Sequence, residues 1–102
     1  MTVKQWLNRA YKINEAILCV TEAEIPEEEK DILINRLEEI KKEIIGAIKK
    51  VENPENLLLL IERYMNYKKW QEIADKLGYS EKWTKTGLHR RALLEIGKVM
   101  AK

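Results

Sequence analysis

Apolar residues recur at steps of three and four near the start of the chain, at Val3, Trp6, Ala10, Ile13, Ile17 and Val20. That spacing lines one face of a helix, and Thr2 is placed to cap it. The pattern breaks over residues 21–26. Pro26 suits the first turn of a second helix, and Glu27, Glu28 and Glu29 follow where the positive end of the helix dipole favours acids. This second helix is expected to run to about Val51. Leu33, Leu37, Ile40, Ile44, Ala47 and Val51 form its stripe, and Ile34, Ile45 and Ile48 widen it. Two such helices joined by a short turn make an antiparallel pair. Packing against the rest of the same chain is the preferred reading of the stripe; its breadth also suits a homodimer.

Asn53, Pro54 and Glu55 signal a third helix, with Asn as cap, Pro at the first helical position and Glu in the first turn. Leu57, Leu60, Ile61 and Tyr64 mark one side of it. Leu58 and Leu59 make it apolar all round, as in a helix central to a core. A polar break at residues 66–69 precedes Trp70, Ile73, Ala74 and Leu77, which carry the periodicity of a short fourth helix. Gly78 follows where a helix end wants a left-handed residue. Ser80 is placed to cap a final helix from Glu81 to near Met100. The expected fold is all-α, with an antiparallel helical pair over 1–53 and a trihelical unit over 54–102.

Composition supports that class. With 102 residues, 45% hydrophobic and 35% charged, the chain suits one domain with a modest core and is too apolar for a disordered one. Cys19 is the only cysteine and His89 the only histidine. That excludes an internal disulfide, thiolate zinc sites, His-rich metal sites and most catalytic triads, so no cofactor is implied. Cys19, at the end of the first stripe, reads as buried filler. Lys4 and Arg9 interrupt the N-terminal apolar residues, so no signal peptide is expected. The longest apolar run, Leu57 to Ile61, is too short to span a bilayer. The cytoplasm is the expected location, without membrane association.

The net charge of +2 says little, but its distribution is uneven. Residues 1–53 hold 9 Lys and Arg against 11 Asp and Glu, and residues 54–102 hold 10 against 6. Within residues 80–102 the ratio is 6 to 2. Such asymmetry points to an anionic partner for the C-terminal end, or to a basic helix end complementing its own dipole. Charge alone leaves these readings level.

Residues 70–93 read as a short helix, a turn at Gly78-Tyr79-Ser80 and a basic helix. A helix-turn-helix needs a small residue in the turn and a buried small residue (here Ala74) where the helices cross. It also needs a second helix polar on its outer face. All three are present, in a pattern that proteins without DNA partners also use. On a straight last helix, Leu88, Ala92, Leu93, Ile96 and Val99 face the core. Trp83, Thr86, Gly87 and Arg90 face outward, flanked by Lys82 and Arg91. That face offers cations for phosphates, an Arg able to read guanine, and at Gly87 room for a phosphate or base. The alternative is a solvated face with one exposed Trp; a large aromatic beside Arg favours a contact surface.

The segments Leu60-Ile61-Glu62-Arg63-Tyr64-Met65, Trp70-Gln71-Glu72-Ile73-Ala74, Leu77-Gly78-Tyr79-Ser80 and Arg91-Ala92-Leu93 resemble region 4 of bacterial sigma factors. The whole chain is similar to small phage and prophage proteins with a sigma-region-4-like C-terminus. The opening Val3-Lys4-Gln5-Trp6-Leu7-Asn8-Arg9-Ala10-Tyr11 and the Leu88-His89 pair resemble that family too. The resemblance implies a helix-turn-helix DNA binder that regulates phage transcription, akin to late-gene activators. It makes Glu81, Lys82, Trp83, Lys85 and Thr86, with the Ser80 cap, the groove-facing turn. Arg90 and Arg91 become phosphate or base contacts, and Gln71 a phosphate donor. His89 has no partner evident in the sequence and is read as capping, packing or touching phosphate. Two departures matter. The segment 21–30 is shorter than in many relatives. Between Ser80 and Leu88 stands one residue more than the sigma pattern has, which rotates the helix start by roughly 100° unless a π-bulge near Thr86-Gly87 absorbs it. Whether Trp83 or Thr84 points inward depends on that residue.

Catalysis finds little support. The clusters Glu27-Glu28-Glu29 and Glu38-Glu39 sit where solvated charge is expected, and no Gly-rich phosphate loop occurs. The expected partner is double-stranded DNA. The competing class is a non-enzymatic protein-interaction module: sigma region 4 also binds RNA polymerase, and the acidic N-terminal pair would suit a polymerase or dimer contact.

Overall fold

The computed structural model describes residues 2–101, and all regular structure among them is helical. Helix α1, Val3–Glu22, begins with a reciprocal capping box. The Gln5 amide donates to Thr2 Oγ1 at 3.1 Å, and the Thr2 amide donates to Gln5 Oε1 at 2.9 Å. Its buried residues are Leu7, Ala10 and Ile13, with Val3, Trp6 and Ile17 packed beside them. The buried face is thus broader than a strict three-four stripe, because Leu7 lies beside it.

Residues 23–26 connect α1 to α2, Glu27–Ile48, and the two helices pack against each other. Pro26 sets the entry at φ −56°, and Glu27, Glu28 and Glu29 occupy the first turn. Lys30 Nζ donates to the Thr21 carbonyl at 2.9 Å, tying the connection closed. The buried residues of α2, Ile44 and Ile48, lie at its far end. Beyond Ile13, neither the rest of α1 nor the first half of α2 holds a buried residue. The pair therefore extends past the core, which fits overall dimensions of 47 × 32 × 21 Å. Cys19 lies on this extension and is exposed, not the buried filler its place in the stripe suggests.

Asn53 caps α3, Pro54–Leu60, its side-chain oxygen accepting from the amides of Glu55 and Asn56 at 2.9 and 3.1 Å. The helix continues as a π turn, Ile61–Met65. Leu59, Leu60 and Tyr64 are buried, but Ile61 is exposed, so this helix is not enclosed on all sides. Tyr67 ends the segment in a left-handed conformation, φ 56°. Helix α4, Trp70–Leu77, stops at Gly78, whose φ of 82° permits its amide and that of Tyr79 to donate to the Ala74 carbonyl.

The last helix, α5 (81–100), is composite. One α turn, Glu81–Trp83, leads into a π turn, Thr84–Leu88, and then an α segment, His89–Met100. Its C-terminal half is latched to the start of α3 by Glu95. One carboxylate oxygen accepts from the Asn56 amide group at 2.8 Å; the other accepts from the Glu52 and Asn53 backbone amides at 2.7 and 3.4 Å. These donors, the Asn56 side chain above all, hold the Glu95 carboxyl below its ordinary pKa, against the opposing effect of burial. One continuous core joins Leu7, Ala10, Ile13, Ile44 and Ile48 to Leu59, Leu60, Ile73, Leu88, Ala92 and Ile96, so apolar packing crosses Asn53 without interruption. No helix among the described residues is long and apolar enough to cross a membrane.

Candidate nucleic-acid interface

The first turns of α5 owe their orientation to the π turn. Ser80 caps the helix by accepting from the Trp83 amide at 3.1 Å. Two threonines then bond backward, Thr84 Oγ1 donating to the Ser80 carbonyl at 2.8 Å and Thr86 Oγ1 to the Lys82 carbonyl at 2.7 Å. Widening the helix by one residue at 84–88 turns Thr84 fully inward and leaves Trp83 48% exposed. The inward row is then Thr84, Leu88, Ala92 and Ile96, with His89 beside it. Ala74 on α4, 1% exposed, lets α4 and α5 approach closely.

Outward from this row stand Glu81, Lys82, Trp83, Lys85, Thr86 and Arg90, all exposed. Gln71 is exposed on the first turn of α4. Lys4 of α1 joins the surface: it lines a shallow depression of about 390 Å³ together with Thr86 and Arg90, and no carboxylate lines it. Nothing local in the sequence marks Lys4, because its proximity to α5 arises from packing of the first helix against the last.

Three expected contacts are placed otherwise. His89 lines the same depression but is only 6% exposed, so it offers little surface to a groove. Its Nε2 lies 2.6 Å from the Tyr64 hydroxyl and its ring 4.6 Å from that of Trp70, centroid to centroid. Burial, reinforced by the charges of Lys4 and Arg63, pushes the His89 pKa down to about 4, against a hydrogen bond to the Lys85 backbone that favours the charged ring. The imidazole is therefore neutral near pH 7 and donates to Lys85, so the Tyr64 phenol donates to Nε2. Burial holds that phenol protonated, with its pKa raised to about 12 despite the nearby Arg63 charge. Arg91 is exposed but engaged within the chain: its guanidinium lies 3.2 Å from Glu55 Oε1. Glu55 Oε2 accepts from the Tyr79 hydroxyl at 2.9 Å, and this bond is the main cause of a raised Tyr79 pKa. Gly87 does not open the helix to a phosphate. The Trp83 ring lies across it, and a β-carbon there would overlap the ring.

No protein-family profile matches the chain, and no curated protein or solved structure is significantly similar to it.

Proposed function

We propose that this chain is a sequence-specific double-stranded-DNA-binding protein that regulates transcription, with α5 as its recognition helix. One observation carries the reading. Lys82, Trp83, Lys85, Thr86 and Arg90 share an exposed surface on the first turns of α5, with Glu81 as its one acid. Helix α4 crosses behind at Ala74, as the first helix of a helix-turn-helix does. Lys82, Lys85 and Lys4 are suited to phosphates and Arg90 to a base edge or phosphate, while Gln71 is suited to a backbone phosphate. The resemblance to sigma region 4 and to small phage proteins supports a role in phage or prophage transcription. Ser80 serves as helix cap in this reading, Arg91 as an intramolecular partner of Glu55, and His89 as core. The region 1–53 is the candidate contact for RNA polymerase or a second copy. The role is binding rather than catalysis.

A second reading has its own observation. An apolar groove of about 310 Å³ between α2 and α3, lined by Ile45, Ile48, Leu57, Ile61 and Met65 between Lys41 and Lys49, suits a protein partner without autonomous DNA binding.

Fluorescence anisotropy against a pool of random-sequence duplexes separates the two. Phosphate contacts by three cations give a slope of about −2.7 in log affinity against log salt, or roughly 40-fold between 50 and 200 mM. The triple variant Lys4→Ala, Lys82→Ala, Lys85→Ala removes that dependence while circular dichroism stays helical. No binding at low salt by the folded protein rejects autonomous DNA recognition.

A further inference from the structure

A separate concavity of about 440 Å³ lies between α1 and the π turn of α3, lined by Asn8, Tyr11, Lys12, Arg63, Tyr64 and Tyr67. Its size falls in the range of small-molecule sites. Two cations line it and no carboxylate does, and among the described residues neither Lys12 nor Arg63 forms a salt bridge.

The walls are built rather than incidental. The π turn Ile61–Met65 carries both Arg63 and Tyr64, and such turns cluster at functional sites. Arg63 is held in place: its guanidinium stacks over Trp70 at 4.5 Å from the ring centroid, and Nη1 donates to the Lys68 carbonyl at 3.1 Å. The guanidinium has further N–H donors for a ligand. Tyr67 sits at φ 56°, a conformation that bulky residues rarely adopt and that persists only where the surroundings over-determine it. Those surroundings are present: its hydroxyl donates to the Ala10 carbonyl at 3.2 Å, and its ring meets Tyr11 edge-on at 5.5 Å. The backbone strain thus fixes an aromatic wall beside two cations.

We propose that this concavity binds a nucleoside monophosphate. A phosphomonoester carries close to two negative charges at neutral pH, which matches a lysine and a guanidinium fork together. A flat base suits the exposed ring of Tyr11 beside the half-buried ring of Tyr67, and the Asn8 amide offers a donor and an acceptor to a base edge. The site does not rest on the DNA reading, since neither Lys12 nor Arg63 belongs to the α5 surface.

Titration of the isotope-labelled full chain with AMP, adenosine and inorganic phosphate, followed by amide NMR, tests it. AMP should bind saturably and about tenfold or more tighter than either fragment, shifting amides at 8–12 and 61–68. Lys12→Ala should weaken AMP about tenfold with an unchanged melting temperature, because Lys12 is exposed. Arg63→Lys should weaken it comparably, through loss of the fork; should that variant unfold, Lys12→Ala decides alone. The proposal is overturned if AMP binds no tighter than phosphate or adenosine, if Lys12→Ala leaves its affinity intact, or if the shifts map only to 81–91. The first two outcomes leave duplex binding by α5 untouched, and the third would move the phosphate contact to the α5 surface.

Discussion

Lowering the pH from 7 to 5 should destabilise this protein by about 2 kcal/mol through one side chain, His89. The unfolded imidazole protonates near its ordinary value of 6.5, whereas the folded one does so only near 4. Above 6.5 both states are neutral and the burial of His89 costs nothing in protonation. Between the two values the unfolded state alone binds a proton, so stability falls by about 1.4 kcal/mol for each pH unit of descent. Below about 4 the loss levels off near 3 kcal/mol. Against a typical total of about 5–15 kcal/mol for a small domain, this is a large fraction. The assignment is clean because His89 is the only histidine and ordinary carboxylates titrate lower. Urea unfolding at pH 7, 6 and 5 measures the effect, with His89→Gln alongside. The variant should be less stable at pH 7, having lost the Tyr64 hydrogen bond and ring packing, yet nearly flat across the same range. A wild-type protein whose midpoint does not move from pH 7 to 5, or a variant with the same slope, would refute a neutral buried His89.

Three further outcomes follow from the geometry. Gly78→Ala should cost about 1–2 kcal/mol in urea unfolding through the left-handed backbone alone, since a β-carbon there meets open space; an unchanged midpoint would remove the need for glycine at this turn. Glu95→Ala should cost about 1–3 kcal/mol by depriving the Glu52 and Asn53 amides and the Asn56 side chain of their acceptor. Because the folded Glu95 pKa is depressed, its carboxylate stabilises fully at neutral pH. That contribution is lost as pH falls from the ordinary carboxylate range through the depressed folded value. Gly87→Ala should displace the Trp83 ring, which is free to swing into solvent. Its indole NMR signal should therefore move strongly while stability changes by less than about 1 kcal/mol, the better helix propensity of Ala offsetting the lost ring contact.

Helix positions were readable from the chain because the signals that set them are local. Thr2, Asn53 and Ser80 each use a side-chain oxygen to satisfy backbone amides two or three residues ahead, and a spacing of that kind survives without tertiary knowledge. Gly78 is legible for the same reason. What the stripes did not reveal is where along each helix the core ends. The stripe of α1 runs as evenly through Ile17 and Val20 as through Ala10 and Ile13, yet only the latter pair is buried. Burial there depends on whether α5 and the π turn of α3 reach across, and that is fixed by contacts remote in sequence. Cys19 is exposed for the same reason.

The candidate interface divides along the same line. Residues exposed by helical phase, Lys82, Lys85, Thr86 and Arg90, follow from counting once the π turn at 84–88 is in place, and that turn is one of the two alternatives the sequence leaves open. The residues withdrawn from the surface were removed by partners elsewhere in the chain. Arg90 and Arg91 are adjacent and identical in type, yet Arg91 meets Glu55 across 36 positions of sequence while Arg90 faces a depression without acids. His89 is removed by Tyr64, 25 positions away, whose hydroxyl satisfies a ring that would otherwise need solvent. A basic stretch read linearly therefore overstates the cations free to meet phosphate. It also misses Lys4, which packing delivers to the same surface from the opposite end of the chain. The net count is nearly conserved while its distribution shifts toward α1. Should duplex binding be found, its salt dependence is expected to respond to Lys4→Ala about as much as to Lys82→Ala, and less to Arg91→Ala than to either.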